Sequence, residues 1–486
     1  MRIISRALPL LAFPCAVAVA CNFTSGNSNS DAGPTASVDG GAPIAAGGTG
    51  AFGIVTIGGK QKMYLPQRED PTGKVYIAVV NVSAQGNGVN GAPALVTKIE
   101  LPAPDAGTSI YGAPYATATG GDSSMVIAVS TDFPMIWFID PNTDTLVKTL
   151  TLDSSYGKSN FSGGGGYVTG VAIDSAHHRA ILSVWNGFAL VDLGTQTITS
   201  VIEAPPTENF GFDSVHQRIL APFYDCSSSS VIDPDSGVST PPSSCSSPKA
   251  PDGGGVISAG LSVIDLTDNT VYTYEAPPPV ADATPDYRTS ALEPVGTEPD
   301  SAAADPTTQV VVVPSEGGSF QNIIDFSQAV FDKASKTVTA PAKIVPNISM
   351  TGVAVESNVH LAFWEEEHSR DVGVADLNAA NAGSKSWVHG MMPALPVALP
   401  DDAGTVSGLS DGPSGPSFSN LGDPHGIAVT TALTSGGPVG FVVNSALDWV
   451  ARVDLAQMLS NQSSDASVVL TEAQMAPYVT YLDATH

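Results

Sequence analysis

Chemistry in this chain has few places to start. His425, in the string "DPHGIAV", is an imidazole that could serve as general acid or base. The run Glu365-Glu366-Glu367-His368, followed by Arg370 and Asp371, could hold a hard cation through its carboxylates, with Glu366 as a base beside His425. The same residues could equally form a solvated charge run, and His425 could be a channel histidine that only orders neighbouring strands. Asp132, Trp185, Asn186, Asp225, Glu316 and Asn444 each follow or end an apolar run. As carboxylates and amides with an aromatic neighbour, they suit a protein, peptide or carbohydrate ligand. There is no GxSxG elbow, HExxH pair, Walker loop or CxxCH site, so the commonest nucleophile, zinc, nucleotide and haem chemistries lack their sequence devices, and no cofactor is expected.

The elements that must position these residues come from a repeat. Runs of β-branched and aliphatic residues end in an Asp, pass a polar turn and resume, about every forty to sixty residues from Tyr111 onward. "TGVAIDSAHHRAILSVWNGFALVDLGTQTITSVI" from Thr169 has the same order as "NFGFDSVHQRILAPFYD" from Asn209 continued by "GLSVIDLTDNTVYTYE" from Gly260. Each is strand, Asp turn, strand, loop, strand, Asp turn, strand. A four-stranded unit cannot bury both faces alone, and radial stacking solves this, so the expected fold is all-β, a single β-propeller. Seven blades are expected, with six or eight as alternatives: 52–101, 111–152, 167–204, 208–276, 298–345, 349–391 and 423–470. "AVFDKASKTV" is read as part of the fifth, and a strand near either terminus as completing the first or last.

The N-terminus reads as an address. Arg2 and Arg6 precede an apolar stretch, Ala7 to Ala20, too short to span a bilayer as a mature helix. Ala18-Val19-Ala20-Cys21 resembles the lipobox of bacterial lipoproteins, which implies that Cys21 is lipidated; the same residues also fit ordinary signal-peptidase cleavage. The expected organisation is a signal peptide at 1–20, a lipidated Cys and flexible tether at 21–50, and the propeller at 51–486. The tether is rich in Ser, Gly, Asn and Ala and would span about 30 Å root-mean-square. Cys15 then lies in the removed segment, leaving Cys226 and Cys245 around eighteen residues with little to pack. A disulfide there would add about 3 kcal/mol in an oxidising compartment; a two-Cys metal site is the other reading, without a CxxC pair or a nearby His.

The charge balance restricts the partners. With 19 basic and 47 acidic residues, net −28, the chain lacks the clustered Lys and Arg that neutralise phosphates. Nucleic acid and anionic lipid surfaces are therefore not expected, and the acidity reads as a solvated surface. Contact with a membrane is expected through the lipid anchor only, and the protein as a monomer.

"PHGIAV" followed by a "VVNS" strand and a "VARVDL" strand resembles the YVTN-type and NHL-related propellers of secreted and surface bacterial proteins, the group that includes YncE-like proteins. The resemblance covers about 111–459. The family's usual "PDG" turn is replaced by "DSAHHR", "DSVHQR" and "DPTTQ". It implies a propeller whose relatives include binding proteins, lyases, lactonases and electron-transfer subunits.

Loop length supplies a direction. Turns from first to second and from third to fourth strand share one face of a propeller, and here they are mostly short. Connections from second to third strand and between blades share the other face and hold nearly all long insertions: 153–166, 226–259, 277–300 and 393–423. Long insertions on one face of a repeat ring mark a binding face. The expected function is a membrane-anchored envelope lipoprotein that binds or scaffolds a partner at the cell surface through this face. The alternative is a lyase- or lactonase-type enzyme using His425 and a rim carboxylate, with a divalent cation. His177 and His178 fall on the opposite face and read as surface residues.

Overall fold

Strand ends in this chain are set by one local device. A carboxylate closes the strand and accepts the backbone N–H two or three residues on, as Asp140 does from Asn142 (2.9 Å), Asp192 from Thr195 (2.6 Å), Asp265 from Thr267 (2.9 Å) and Asp305 from Thr307 (3.0 Å). The residue four places after the acid then takes a left-handed conformation before the next strand begins. Asp144, His178, Gln196, Gln217, Asn269, Gln309, Lys336 and His360 all do so, with φ between 48° and 59°. This turn reverses the chain without glycine, because the side-chain oxygen satisfies the amides the reversal exposes.

The computed structural model describes residues from Gly53 to Asp483, except 70–73, 83–94, 103–115, 120–124, 131–132, 153–157, 161–167, 185, 224–229, 233–238, 241–258, 277–293, 297, 316–319, 347–349, 367–370, 379–386, 394–425, 432–436, 445–448 and 462–468. The described residues lie in one unit, Gly33–His486. Residues 1–20, Cys21 and the 21–50 tether fall outside them, as do both cysteines of the expected disulfide, Cys226 and Cys245.

Seven antiparallel blades are present, each with its first strand innermost. The inner strands are Gly53–Ile57, Ala116–Thr119, Val168–Asp174, Gly211–Asp213, Ala303–Asp305, Gly352–Glu356 and Ile427–Thr431. Second and third strands are apolar runs, such as Val126–Val129 and Arg179–Val184, because neighbouring blades cover both their faces. Outermost strands such as Thr145–Thr151 (TLVKTLT) alternate, since they meet solvent. Successive side chains go to opposite sides of a blade: Met63 and Leu65 enter the cluster shared with blade seven, and Tyr64 the cluster shared with blade two.

Seven hydrophobic clusters fill the seven inter-blade spaces, so the ring is closed. The last space, between blades seven and one, is filled by Phe441, Val439, Met63, Leu65 and Val80, with Gln61 Nε2 donating to Thr430 Oγ1 and the Thr431 carbonyl, both at 3.2 Å. Each blade takes its four strands from its own stretch of chain, and among the described residues none is exchanged across this seam. Glycine permits a close blade contact: a Cβ on Gly440 of blade seven would lie 2.4 Å from the Phe363 ring of blade six.

Two expectations change. "AVFDKASKTV" is not a strand of blade five. It forms a hairpin, Val330–Asp332 with Thr337–Thr339, whose second strand runs parallel to the outermost strand of blade four, Thr270–Glu275. The fourth strand of blade five is Ala342–Pro346. Blade seven runs past Leu470: the strand near the C-terminus expected to complete a blade is Val479–Asp483, its fourth, reached after two short helices, Leu455–Leu459 and Glu472–Met475, and a strand, Val469–Leu470, that runs parallel to the outermost strand of blade six. The third-to-fourth connections of blades one, five, six and seven, at 82–94, 326–341, 377–386 and 455–478, are long, whereas those of blades two, three and four are the tight turns expected. Among the described residues no helix is long and apolar enough to cross a membrane.

Candidate functional site

The two faces of the ring use their polar groups differently. On the short-turn face the carboxylates are taken up by their own turns and by neighbouring blades. Asp174 Oδ2 contacts His177 Nδ1 (2.8 Å) and accepts from Arg179 Nε (3.0 Å), and Arg179 Nη2 donates to Gln217 Oε1 of blade four (2.7 Å). Asp213 pairs with His216 Nδ1 (2.8 Å), and Asp305 with His360 Nδ1 of blade six (2.6 Å). Asp144 of blade two accepts from Lys62 Nζ and the Tyr64 hydroxyl of blade one, each at 2.6 Å. Burial and this hydrogen bond push the Tyr64 phenol well above its ordinary range. Asp140, Asp192 and Asp332 are held below the usual carboxylate range, chiefly by the backbone N–H groups of Asn142, Thr195 and Ala334. His177 and His178 are exposed on this face, as expected.

The long-connection face has a buried polar layer where inner strands begin and second strands end. Thr169 Oγ1 and Ser183 Oγ lie 2.6 Å apart, and both reach the Thr207 carbonyl (2.8 and 3.1 Å). Asn209, just before the inner strand of blade four, is fully buried beside Phe210. Ser301 Oγ donates to the Thr351 carbonyl of the next blade (2.6 Å), and Asp300 beside it is buried. The Thr351 N–H donates to the Glu365 carbonyl (2.9 Å). The sequence carries a signal for this layer that belongs to no motif. Thr169, Asn209, Ser301 and Thr351 each stand four or five residues before the acid that closes their inner strand.

The candidate residues fall as follows. Glu365 ends the second strand of blade six and is only 1% exposed, so it is not part of a solvated run. Its carboxylate lies over the inner strand at Gly352, where a Cβ would come within 2.7 Å of Oε1. Glu366 is half-buried and closes the following loop, its N–H donating to the Asp371 carbonyl (3.1 Å). Asn186 sits in the tight connection of blade three, its carbonyl accepting from Ala204 N–H (3.1 Å). Gly187 beside it, at φ +139°, leaves no room for a Cβ: one would fall 1.9 Å from the Ile202 carbonyl oxygen. Asn444 ends the second strand of blade seven. His425, Asp132, Trp185, Asp225, Glu316 and His368 lie outside the described residues.

Loops distant in sequence meet on this face. Lys158–Asn160, from the link between blades two and three, pairs with Ser230–Ile232 of the Cys-flanked insertion, which also pairs with Ser239–Thr240. Among the described residues no three His, Cys, Asp or Glu side chains converge as a metal site. Hydroxyls, amides and carboxylates gathered this way can hydrogen-bond a polar ligand.

No protein-family model matches the chain, and no curated protein matches it in sequence. Among solved structures it is similar to Hsv2 of Kluyveromyces lactis, with 8% identity over 85% of this chain and 93% of that one and a TM-score of 0.41. It is similar to the hydrazine synthase of Kuenenia stuttgartiensis, with 11% identity over 90% and 88% and a TM-score of 0.36. PorZ of Porphyromonas gingivalis, a surface component of the type-IX secretion system, is 9% identical over 85% of this chain and 38% of its own, with a TM-score of 0.43. The propeller assignment rests on the chain's own seven blade sheets and the seven clusters between them.

Proposed function

We propose that this is an exported protein of the bacterial cell envelope, held by a lipid on Cys21, whose propeller binds or scaffolds a protein, peptide or carbohydrate partner through its long-connection face. The observation that carries this reading is the difference between the faces. Short-turn carboxylates are used up in capping and in ties between blades. The opposite face collects the links 153–166, 277–300 and 393–423 and the insertion 226–259, of which the first and last pair with each other, above a layer of polar side chains. Loops set on a rigid ring are where sequence can vary without cost to the core, and recognition concentrates there. The basic start, the apolar stretch of 7–20 and the spacer after Cys21 support export and anchoring, and "PHGIAV" with its following strands supports a YVTN-type relationship.

Two measurements test it. Mass spectrometry of the mature N-terminus is expected to find an acylated Cys21; a free Cys21 or cleavage elsewhere removes the anchor. Glycan and peptide arrays probed with the protein are expected to give ligands lost in His425→Ala with Glu366→Ala and kept in the short-face pair His177→Ala with Thr195→Ala. The reverse pattern would assign recognition to the other face.

A further inference from the structure

We infer that the insertions of blades five and seven are clasps that cover and rigidify the outer edges of blades four and six, and that they serve to preorganise the long connections those two blades carry. The second part rests on the binding reading above; the first stands without it.

Both insertions do the same thing at different places. Each leaves its blade between the third and fourth strands, crosses to the preceding blade and adds a parallel strand to that blade's outermost one. Thr337–Thr339 pairs with Thr273, Tyr274 and Glu275 of blade four, and Val469–Leu470 with His389 and Gly390 of blade six. Parallel additions to an edge are not what an antiparallel blade produces locally, so the two are separate devices of one kind.

Each is anchored by side chains as well. In the first, the Phe331 ring stands edge-on to Tyr272 (5.0 Å between centroids, 78°), the Arg218 guanidinium lies 4.7 Å over it, and Lys333 Nζ meets Asp268 at 2.6 Å. The Tyr274 hydroxyl donates to the Ala340 carbonyl (3.0 Å). In the second, Leu470 and Met475 pack so closely on Gly390 that a Cβ there would lie 2.8 and 2.7 Å from them. Met458, Leu455, Leu470 and Met475 are all buried in the cluster between blades six and seven. The outermost strands of blades one, two, three, five and seven, Leu95–Leu101, Thr145–Thr151, Thr197–Glu203, Ala342–Pro346 and Val479–Asp483, have no added strand among the described residues, and the first three expose Val96, Val147 and Val201.

The clasped blades also carry two of the connections that hold candidate residues. Blade four holds the Cys-flanked insertion, and blade six the segment from Glu365 to Asp371. An unpaired edge strand opens by local fluctuation, whereas a covered one opens only when its cover leaves. Fixing those edges holds the roots of the two connections and lowers the ordering cost of binding.

Hydrogen exchange of the full chain, followed by mass spectrometry under native conditions, tests the clasps without any ligand. Amides of Thr270–Glu275 and Trp387–Met391 are expected to exchange at least tenfold more slowly than those of the outermost strands of blades one, two, three, five and seven. Phe331→Ala with Lys333→Ala is expected to remove the protection of Thr270–Glu275 alone, and Gly390→Val that of Trp387–Met391 alone, each leaving the second strands of all blades protected. Equal exchange in all outermost strands of the unmodified protein, or protection unchanged in both variants, overturns the clasps. If the clasps hold but array binding is the same in both variants, preorganisation is overturned and the clasps stand.

Discussion

At the scale of single residues, the carboxylate turn explains most of the ring's regularity. Each strand-closing acid offsets the strain of a left-handed residue four places later, about 1 kcal/mol or more for a side chain with Cβ. Gln196→Val, which adds branching at φ 54°, is expected to cost about 1–2 kcal/mol in denaturant unfolding, while Gln196→Asn leaves stability unchanged. Asp144 does two jobs, because it also receives Lys62 and Tyr64 across the interface of blades one and two. Asp144→Asn keeps the turn and loses the ion pair at a largely buried site, and about 2 kcal/mol of stability is expected to go with it. The acids also set a pH window. Asp140, Asp192 and Asp332 have folded values below their unfolded ones, and Asp268 is pushed down to about 2 by its hydrogen bond from Lys333. A depressed carboxyl stabilises the fold above its unfolded value and loses that contribution as pH falls through its folded value. Unfolding midpoints are therefore expected to hold down to about pH 4 and fall between about pH 4 and 2; a flat profile through that window would contradict the assignment. This turn chemistry was legible in the sequence because it is local: an acid, two or three polar residues and a strand on either side.

At the scale of elements, local signals reached their limit where tertiary partners decide. "FDKASKT" has the same acid turn as "VDLGTQT", so nothing within it tells whether its strands belong to blade five or lie on blade four. The answer lies in Phe331 meeting Tyr272 and Arg218, residues 59 and 113 positions away in the chain. Glu365 is a similar case. In the string "WEEEH" it reads as the start of a charged surface run, and only Gly352 opposite it on the inner strand lets its carboxylate lie inside. The buried row of Thr169, Asn209, Ser301 and Thr351 was spelled out in the sequence but has no motif, since its meaning comes from lateral neighbours around the channel. Blade packing gives an independent check. Gly440→Ala places a Cβ against Phe363 and is expected to cost about 1–3 kcal/mol through overpacking, measured by denaturant unfolding. A second check concerns the Cys-flanked insertion. Non-reducing peptide mapping of the exported protein is expected to recover Cys226 joined to Cys245, and free thiols at both would mean that the insertion is held by other contacts.

At the scale of the whole molecule, the seven-fold organisation was readable because each blade repeats the same four-strand pattern, and the seven interface clusters follow from strands buried on both sides. The direction of the ring was readable too, since strand order assigns every connection to one of two faces. Which ligand the long-connection face holds was not readable, because recognition depends on side chains brought together from all seven blades. The central claim is that recognition belongs to that face, and photo-crosslinking is its most direct test. The strongest ligand from the glycan and peptide arrays, carrying a photoreactive group, is cross-linked to the protein and the attachment sites are mapped by mass spectrometry. Attachment is predicted within 205–211, 224–259, 366–371 and 394–425. Attachment concentrated in the short turns at 140–145, 192–197 and 265–270 would contradict it.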